Sequence, residues 1–273
     1  MRVIRAIVFG LFLLIFAVWG VSSFIVIKNK DDMPPVIEAQ SDHISVSASS
    51  GDAELKQGLT ASDNKDGDLT DQILIGKQSK FINKGTTEVT YIVFDSSNNA
   101  GYCTRTVDYI DYVSPQFHLS EPLVFEEGEK ITILDRMTVM DSVQGDISDK
   151  IKIISSDVDE EEVGVYTMGI EVSNKFGDLV TAALPINIVA KNSNQAELTF
   201  DEYFRTLNMF EGFDPALVLP KIQLPDGSQG SEENITIESN VDSSIPGTYQ
   251  VLYKYDDGDG ITGSTSLTVL VRE

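Results

Sequence analysis

Three times along the chain a glycine opens a run with apolar or aromatic residues at alternate positions. These are Gly85-Thr86 leading to Val89 and Tyr91, Gly164-Val165-Tyr166, and Gly247-Thr248-Tyr249 leading to Val251 and Tyr253. A second glycine precedes each at a nearly fixed distance: 34 residues from Gly51 to Gly85, 36 from Gly128 to Gly164 and 35 from Gly212 to Gly247. A repeat of roughly 80 residues is too long for one turn of a solenoid and long enough for a small domain with its own core. The chain is therefore expected to fold as three similar β units. Each closes on a hairpin whose connection is rich in Asn, Asp and Gly, the residues that tolerate the positive φ of tight turns. These hairpins are expected at 89–110, 168–189 and 249–271. Phe200, Tyr203, Phe204, Leu207 and Phe210 also sit at helical spacing, but Leu207 to Gly212 aligns with Leu123 to Gly128, so strand and loop is preferred there.

From Ala6 to Ile27 no charged residue occurs, and 22 such residues rising about 1.5 Å each would cross a bilayer core of about 30 Å. The segment reads as an uncleaved signal anchor; the alternative is a signal peptide cut after Ser22 or Ser23, where small residues sit. Basic residues flank it on both sides, so charge alone leaves the orientation open. The expected organisation is a cytoplasmic tail at 1–5, a transmembrane anchor at 6–27, a juxtamembrane stalk at 28–33, and β domains at 34–112, 113–191 and 192–273, lying outside the cell membrane. The 273 residues carry a net charge of −23, and Arg2, Arg5, Lys28 and Lys30 all fall in the first thirty, so the body is more acidic still. Such a body repels phosphate backbones, which argues against nucleic-acid binding. Cys103 is the only cysteine, so no intrachain disulfide forms; its strand parity with Val107 and Tyr109 makes it a core residue, with an interchain bridge or reactive thiol as the other reading.

The stretch Leu59-Thr60-Ala61-Ser62-Asp63-Asn64-Lys65-Asp66-Gly67-Asp68-Leu69-Thr70-Asp71 with Ile73, followed by Gly85, Tyr91, Asp95 and Thr104-Arg105-Thr106-Val107, resembles a bacterial surface Ig-like domain. Modules of this kind stand in tandem in cell-envelope proteins of Gram-positive bacteria. The second unit keeps Asp141, Gly145-Asp146-Ile147-Ser148-Asp149 and Ile151; the third keeps Pro246-Gly247-Thr248-Tyr249 and Tyr253 without a counterpart of the acidic loop. The resemblance implies an all-β fold of three tandem Ig-like antiparallel sandwiches after one transmembrane helix, an extracytoplasmic address, and no catalytic residues to carry over.

Three kinds of chemistry are to be weighed. Asp63, Asp66, Asp68 and Asp71 crowd one loop, and Asp256, Asp257 and Asp259 another; oxygen-rich loops suit Ca²⁺, although aspartate before glycine also simply forms turns. No other cofactor is expected. His43 and His118 stand outside any triad or metal-ligand spacing, so the chain is not expected to be an enzyme. Tyr203, Phe204, Phe210 and Phe213 load the third unit and form its candidate ligand surface, the other reading being core. The expected function is a non-catalytic, membrane-anchored binding or adhesion protein whose partner is a cell-surface protein or glycan. The alternative is a structural accessory subunit or spacer of an envelope complex.

Overall fold

The computed structural model describes residues 2–29 and 31–273, with side chains described at 8–21 and 31–273. The first element is a helix, Arg2–Asn29, without acidic residues in its first turn. Among the described residues no helix is long and apolar enough to cross a membrane. The described side chains within the helix, 8–21, are fewer than the about 20 that a crossing takes. The anchor expected over 6–27, and the tail and stalk beside it, thus lie partly outside the described residues.

Everything after residue 35 is mostly β. Helical pieces there are three to four residues long, such as Asp52–Leu55 and Ile133–Arg136. Contacts divide the chain into two compact units. One comprises Met1–Val46, Ser50–Ile82 and Thr86–Asp108, and the other Ser47–Ser49, Asn83–Gly85 and Tyr109–Glu273.

The first unit holds two sheets. One joins Val36–Ala39, Leu59–Asp63 and Gly67–Asp68 in that order; the other runs His43–Val46, Ala100–Tyr109, Thr86–Phe94, Leu74–Gln78. In Thr86–Phe94 the buried side chains are Thr87, Val89, Tyr91 and Val93, the period-two pattern that a strand with one face on a core requires. Cys103 stands half-buried opposite Tyr91. Arg105, the charged member of the Thr-Arg-Thr-Val run, is buried. Its Nη1 donates to the Gln57 carbonyl at 2.8 Å, its Nη2 to the Leu55 carbonyl and its Nε to the Tyr91 hydroxyl at 3.2 Å. Burying a guanidinium is tolerable because this fork meets carbonyls at the end of the Asp52–Leu55 turn and lies over the Tyr91 ring, 5.0 Å from its centroid. Gly101 is glycine for close approach, since a Cβ there would collide with the Pro35 carbonyl; Gly263 meets the Ala196 carbonyl in the same way later in the chain.

The second unit contains four sheets. Gly145–Asp146, Met137–Asp141 and Gln116–Leu119 face a sheet ordered Lys152–Ser156, Gly164–Ser173, Leu179–Val189, Val124–Glu126. Glu197–Thr199 pairs with Lys221–Gln223, and the last sheet is ordered Phe204–Asn208, Thr262–Arg272, Gly247–Asp256, Ile235–Ser239. Both four-stranded sheets add one short parallel strand, Val124–Glu126 on Leu179–Val189 and Phe204–Asn208 on Thr262–Arg272. The aromatic run at 200–210 is thus strand and turn, as its alignment with 123–128 indicates. The hairpins at 164–189 and 247–272 form where the turn residues place them.

The third repeat has a core of its own, in which Leu198, Leu207, Ile222, Val251, Tyr253 and Val269 pack together. It also shares a junction with the second repeat: Phe117, Leu119, Val139, Ile170, Leu184 and Ile186 pack in one cluster with Tyr203, Phe204 and Leu270. The Phe117 and Phe204 rings lie 5.8 Å apart at 55°, and the Tyr203 amide donates to the Leu119 carbonyl at 3.2 Å. Nearby, buried Gln250 donates through Nε2 to Asn187 Oδ1 at 2.7 Å. Aromatic side chains of this size contribute more on burial than as exposed surface, so the junction recruits them inward.

Candidate functional site

The acidic loop of the first repeat does not gather its four aspartates on one point. Asp63 Oδ1 accepts from the amides of Lys65 and Asp66 at 2.8 and 2.9 Å, which hold its carboxyl below the ordinary range, the Asp66 amide contributing most. Asp66 turns to the amide of Ser96 at 2.8 Å. Asp68 accepts from the amide of Thr70 at 2.9 Å and is likewise lowered, chiefly by the Thr70 hydroxyl. Asp71 is exposed in the short turn Thr70–Gln72. Asp63 and Asp68 therefore act as turn formers, while Asp66 ties the loop to Ser96. The 256–259 loop does the same: Asp257 Oδ1 accepts from the amides of Asp259 and Ile261, and Asp256 Oδ1 from that of Gly258.

Asp63 also joins two residues that the sequence reading passed over. One oxygen each from Asp31, Asp63 and Asp95 lie within 4.8 Å of one another, with Asp31 and Asp95 buried and Asp63 half-buried. Each carboxylate is oriented by backbone amides. Asp31 Oδ1 accepts from Met33 at 3.0 Å, Asp95 Oδ1 from Asn99 at 2.7 Å, and Asp63 Oδ1 as above. The second oxygens differ. Asp95 Oδ2 accepts from Asn99 Nδ2 at 2.6 Å, whereas Asp31 Oδ2 and Asp63 Oδ2 are buried without a hydrogen-bond partner. Lys65 Nζ approaches Asp31 Oδ2 only to 3.8 Å, beyond hydrogen-bonding distance. Two like charges no more than 4.8 Å apart repel by at least roughly 3 kcal/mol at an effective dielectric of about 20, so three carboxylates this close call for a positive charge among them. The chain also fixes Asp31 through its backbone, because Asn99 Nδ2 donates to the Asp31 carbonyl at 2.9 Å.

The second repeat solves the same geometry differently. Asp141 corresponds to Asp63, its Oδ1 accepting from the amides of Val143 and Gln144 at 3.0 and 2.8 Å. Asn174 corresponds to Asp95, opening the hairpin turn, and its Nδ2 donates to Asp141 Oδ2 at 2.9 Å and to the Tyr112 hydroxyl at 2.8 Å. Tyr112, ahead of the first strand as Asp31 is, in turn donates to Asp178 Oδ2 at 2.7 Å. Burial and the Asp178 carboxylate push the Tyr112 phenol far above its ordinary value. One carboxylate thus becomes an amide and another a neutral phenol, and the buried oxygens are satisfied internally. The signal was legible in principle, since Asp63 and Asp141, and Asp95 and Asn174, lie at nearly the repeat lag; Asp31 carries no such signal, because it precedes the first repeat.

The aromatic candidates of the third repeat separate. Tyr203 and Phe204 are 5% and 2% exposed, so they are core and cannot meet an outside ligand. Phe213 is half-buried under Arg205, whose guanidinium lies 5.6 Å from its ring centre. Phe210 is 75% exposed and has a φ of 64°, in the left-handed region where bulky residues rarely sit. A turn with the Glu211 amide on the Asn208 carbonyl at 3.0 Å, and the Phe210 amide on the Ser243 carbonyl at 2.7 Å, hold it there. The histidines pair with carboxylates, His43 with the half-buried Asp108 at 2.6 Å and His118 with the exposed Glu202 at 2.8 Å.

No protein-family model matches the chain. By sequence it is similar to the pesticidal crystal protein Cry22Aa of Bacillus thuringiensis, 28% identical over 250 residues that cover 87% of this chain and 33% of that protein. It is also similar to an uncharacterized 81.3 kDa protein of Acholeplasma phage L2, 26% identical over 88% of this chain and 32% of that protein. A third relative, human Protocadherin Fat 1, is 24% identical over 60% of this chain and 4% of its own length. The chain spans about a third of the length of the first two relatives. Among solved structures, CBM51-2 with GlcNAc and INT domains from Clostridium perfringens ZmpB is 19% identical at a TM-score of 0.23, over 55% of this chain and 26% of that one. The protocadherin GammaB4 extracellular domain is 12% identical at a TM-score of 0.21, over 88% and 50%. Scores this low carry no inference about ligand or reaction.

Proposed function

We propose that this is a non-catalytic surface protein, held in the cell membrane by residues 6–27, whose Ig-like sandwiches lie on the outer side and bind a cell-surface protein or glycan. The observation that carries the binding role is Phe210. A large apolar ring kept 75% exposed on a backbone with φ of 64° is costly twice over, by on the order of 1 kcal/mol for the backbone alone. Such strain concentrates at positions that contact a partner. The anchor is supported by the uncharged run from Ala6 to Ile27 and by helical backbone from Arg2 to Asn29.

The test is binding of the detergent-solubilised full chain to a glycan array and to fractionated envelope proteins, compared with Phe210→Gly and Phe210→Ala. Glycine suits the backbone, so this variant should be at least as stable as the parent and bind at least tenfold more weakly. Unchanged binding by both variants removes Phe210 from the recognition surface. Deleting residues 192–273 is a poor substitute, because it would strip Tyr203, Phe204 and Leu270 from the core of the second repeat.

A second reading, a structural spacer or accessory subunit, is favoured by that shared junction, where Tyr203, Phe204 and Leu270 of the third repeat pack into the core of the second. Cross-linking in native membranes separates the readings: one partner at constant stoichiometry supports the subunit, and exogenous glycan or matrix binding supports the adhesin.

A further inference from the structure

We infer that Asp31, Asp63 and Asp95 form a calcium site that fastens the segment following the N-terminal helix onto the first sandwich. Acidic clusters alone are common on a chain of this charge. What distinguishes this one is that Asp31 is 4% exposed and its Oδ2, like Asp63 Oδ2, lies buried without a hydrogen-bond donor. A buried carboxylate oxygen without a hydrogen-bond donor is costly; Lys65 reaches Asp31 Oδ2 only as an ion pair at 3.8 Å, and a cation seated among the three carboxylates supplies the direct contact.

The donor chemistry and spacing choose the cation. Every ligand is a carboxylate oxygen, which suits a hard ion and not zinc or copper. Three oxygens no more than 4.8 Å apart lie at most about 2.8 Å from a common centre, which admits the 2.3–2.6 Å of calcium coordination, and three protein carboxylates suit calcium better than magnesium, which keeps several waters and is usually held through one or two carboxylates. Amides of Met33, Lys65, Asp66 and Asn99 already orient the three carboxylates, so little ordering remains for the ion to impose.

The second repeat is an internal control. There Asn174 and Tyr112 supply donors where the first repeat has carboxylates, so the remaining Asp141 and Asp178 oxygens are met by hydrogen bonds within the protein. The consequence of binding follows from where Asp31 sits, two residues after the helix ends at Asn29 and ahead of the first strand at Val36. Its carbonyl is held by Asn99 and its carboxylate would be held by calcium. Residues 31–35 would thereby become part of the sandwich instead of a free tether.

The experiment is calorimetric titration of Ca²⁺ into the EGTA-stripped full chain in detergent at physiological salt, which suppresses diffuse binding to the acidic surface. One saturable site with a dissociation constant on the order of 10⁻⁴ M is expected, as is typical of extracellular modules. Asp95→Asn and Asp31→Asn should weaken it more than tenfold, while the double variant Asp68→Asn with Asp71→Asn leaves it unchanged. Asp95→Asn is expected to fold, since the second repeat carries asparagine at this position. Hydrogen exchange gives the second readout: calcium should slow the amides of 32, 33 and 96–101 in the parent chain and not in Asp95→Asn. Absence of saturable binding, binding that survives Asp95→Asn, or equally tight binding of Mg²⁺ would overturn the assignment.

Discussion

Replacing Phe204 by alanine tests whether the second and third repeats stand or fall together. The ring is 2% exposed, packs on Phe117 at 5.8 Å, and belongs to the same cluster as Leu119, Val139 and Leu184. Removing a buried phenylalanine costs roughly 3–5 kcal/mol, the transfer free energy of the ring plus the cavity left behind. For a body of this size about 2–4 °C of melting temperature is lost per kcal/mol, so the variant should melt roughly 6–20 °C lower by calorimetry. The more telling assay is hydrogen exchange. Phe204 lies in the third repeat by sequence, yet the cavity would open onto Phe117, so amides in Gln116–Leu119 and Met137–Asp141 should exchange faster along with those of Phe204–Asn208. A companion substitution, Gln250→Ala, leaves buried Asn187 Oδ1 without its donor and should accelerate exchange in both repeats too, at a cost of roughly 1–3 kcal/mol. If the change in either variant stops at residue 197 and the second repeat keeps its protection, the shared junction is not energetically real.

Two further outcomes are expected. Arg105→Lys keeps the charge but loses the fork that reaches the Leu55 and Gln57 carbonyls and the Tyr91 hydroxyl; it should destabilise the first unit by roughly 1.5–3 kcal/mol in urea titration, and an unchanged midpoint would contradict the role given to this fork. Acid should destabilise the chain through carboxylates held below their ordinary values, among them Asp111, lowered by the Ala48 amide and the Ser47 hydroxyl, and Asp146, lowered by the hydroxyl and amide of Ser148. Because these folded values lie below the unfolded value of about 3.9, their contribution is complete above about pH 4 and is lost as pH falls through the folded values. Urea midpoints measured from pH 7 to 2.5 should stay level and then drop, with a shallower drop in Asp111→Asn; an equal slope in that variant would show that Asp111 does not contribute.

The amino-acid sequence by itself determined the β class, the repeat and the three terminal hairpins, because these follow from local facts: alternation at period two along Thr86–Phe94, and Gly, Asn or Asp where the chain must turn. It also placed Asp63 among the acidic residues worth watching, and Cys103 on the inward parity of its strand. Tertiary structure alone decided the rest. That Tyr203 and Phe204 serve a junction rather than a surface depends on Phe117 and Leu119, more than eighty positions earlier, arriving beneath them. Asp31, Asp63 and Asp95 are each separated by 32 residues and look like three unrelated turn residues until the fold closes. A carboxylate's partner is set by distance in space, and in an antiparallel sandwich the loops that meet at one end are far apart along the chain, so neither spacing nor composition could show which acids would be left facing one another.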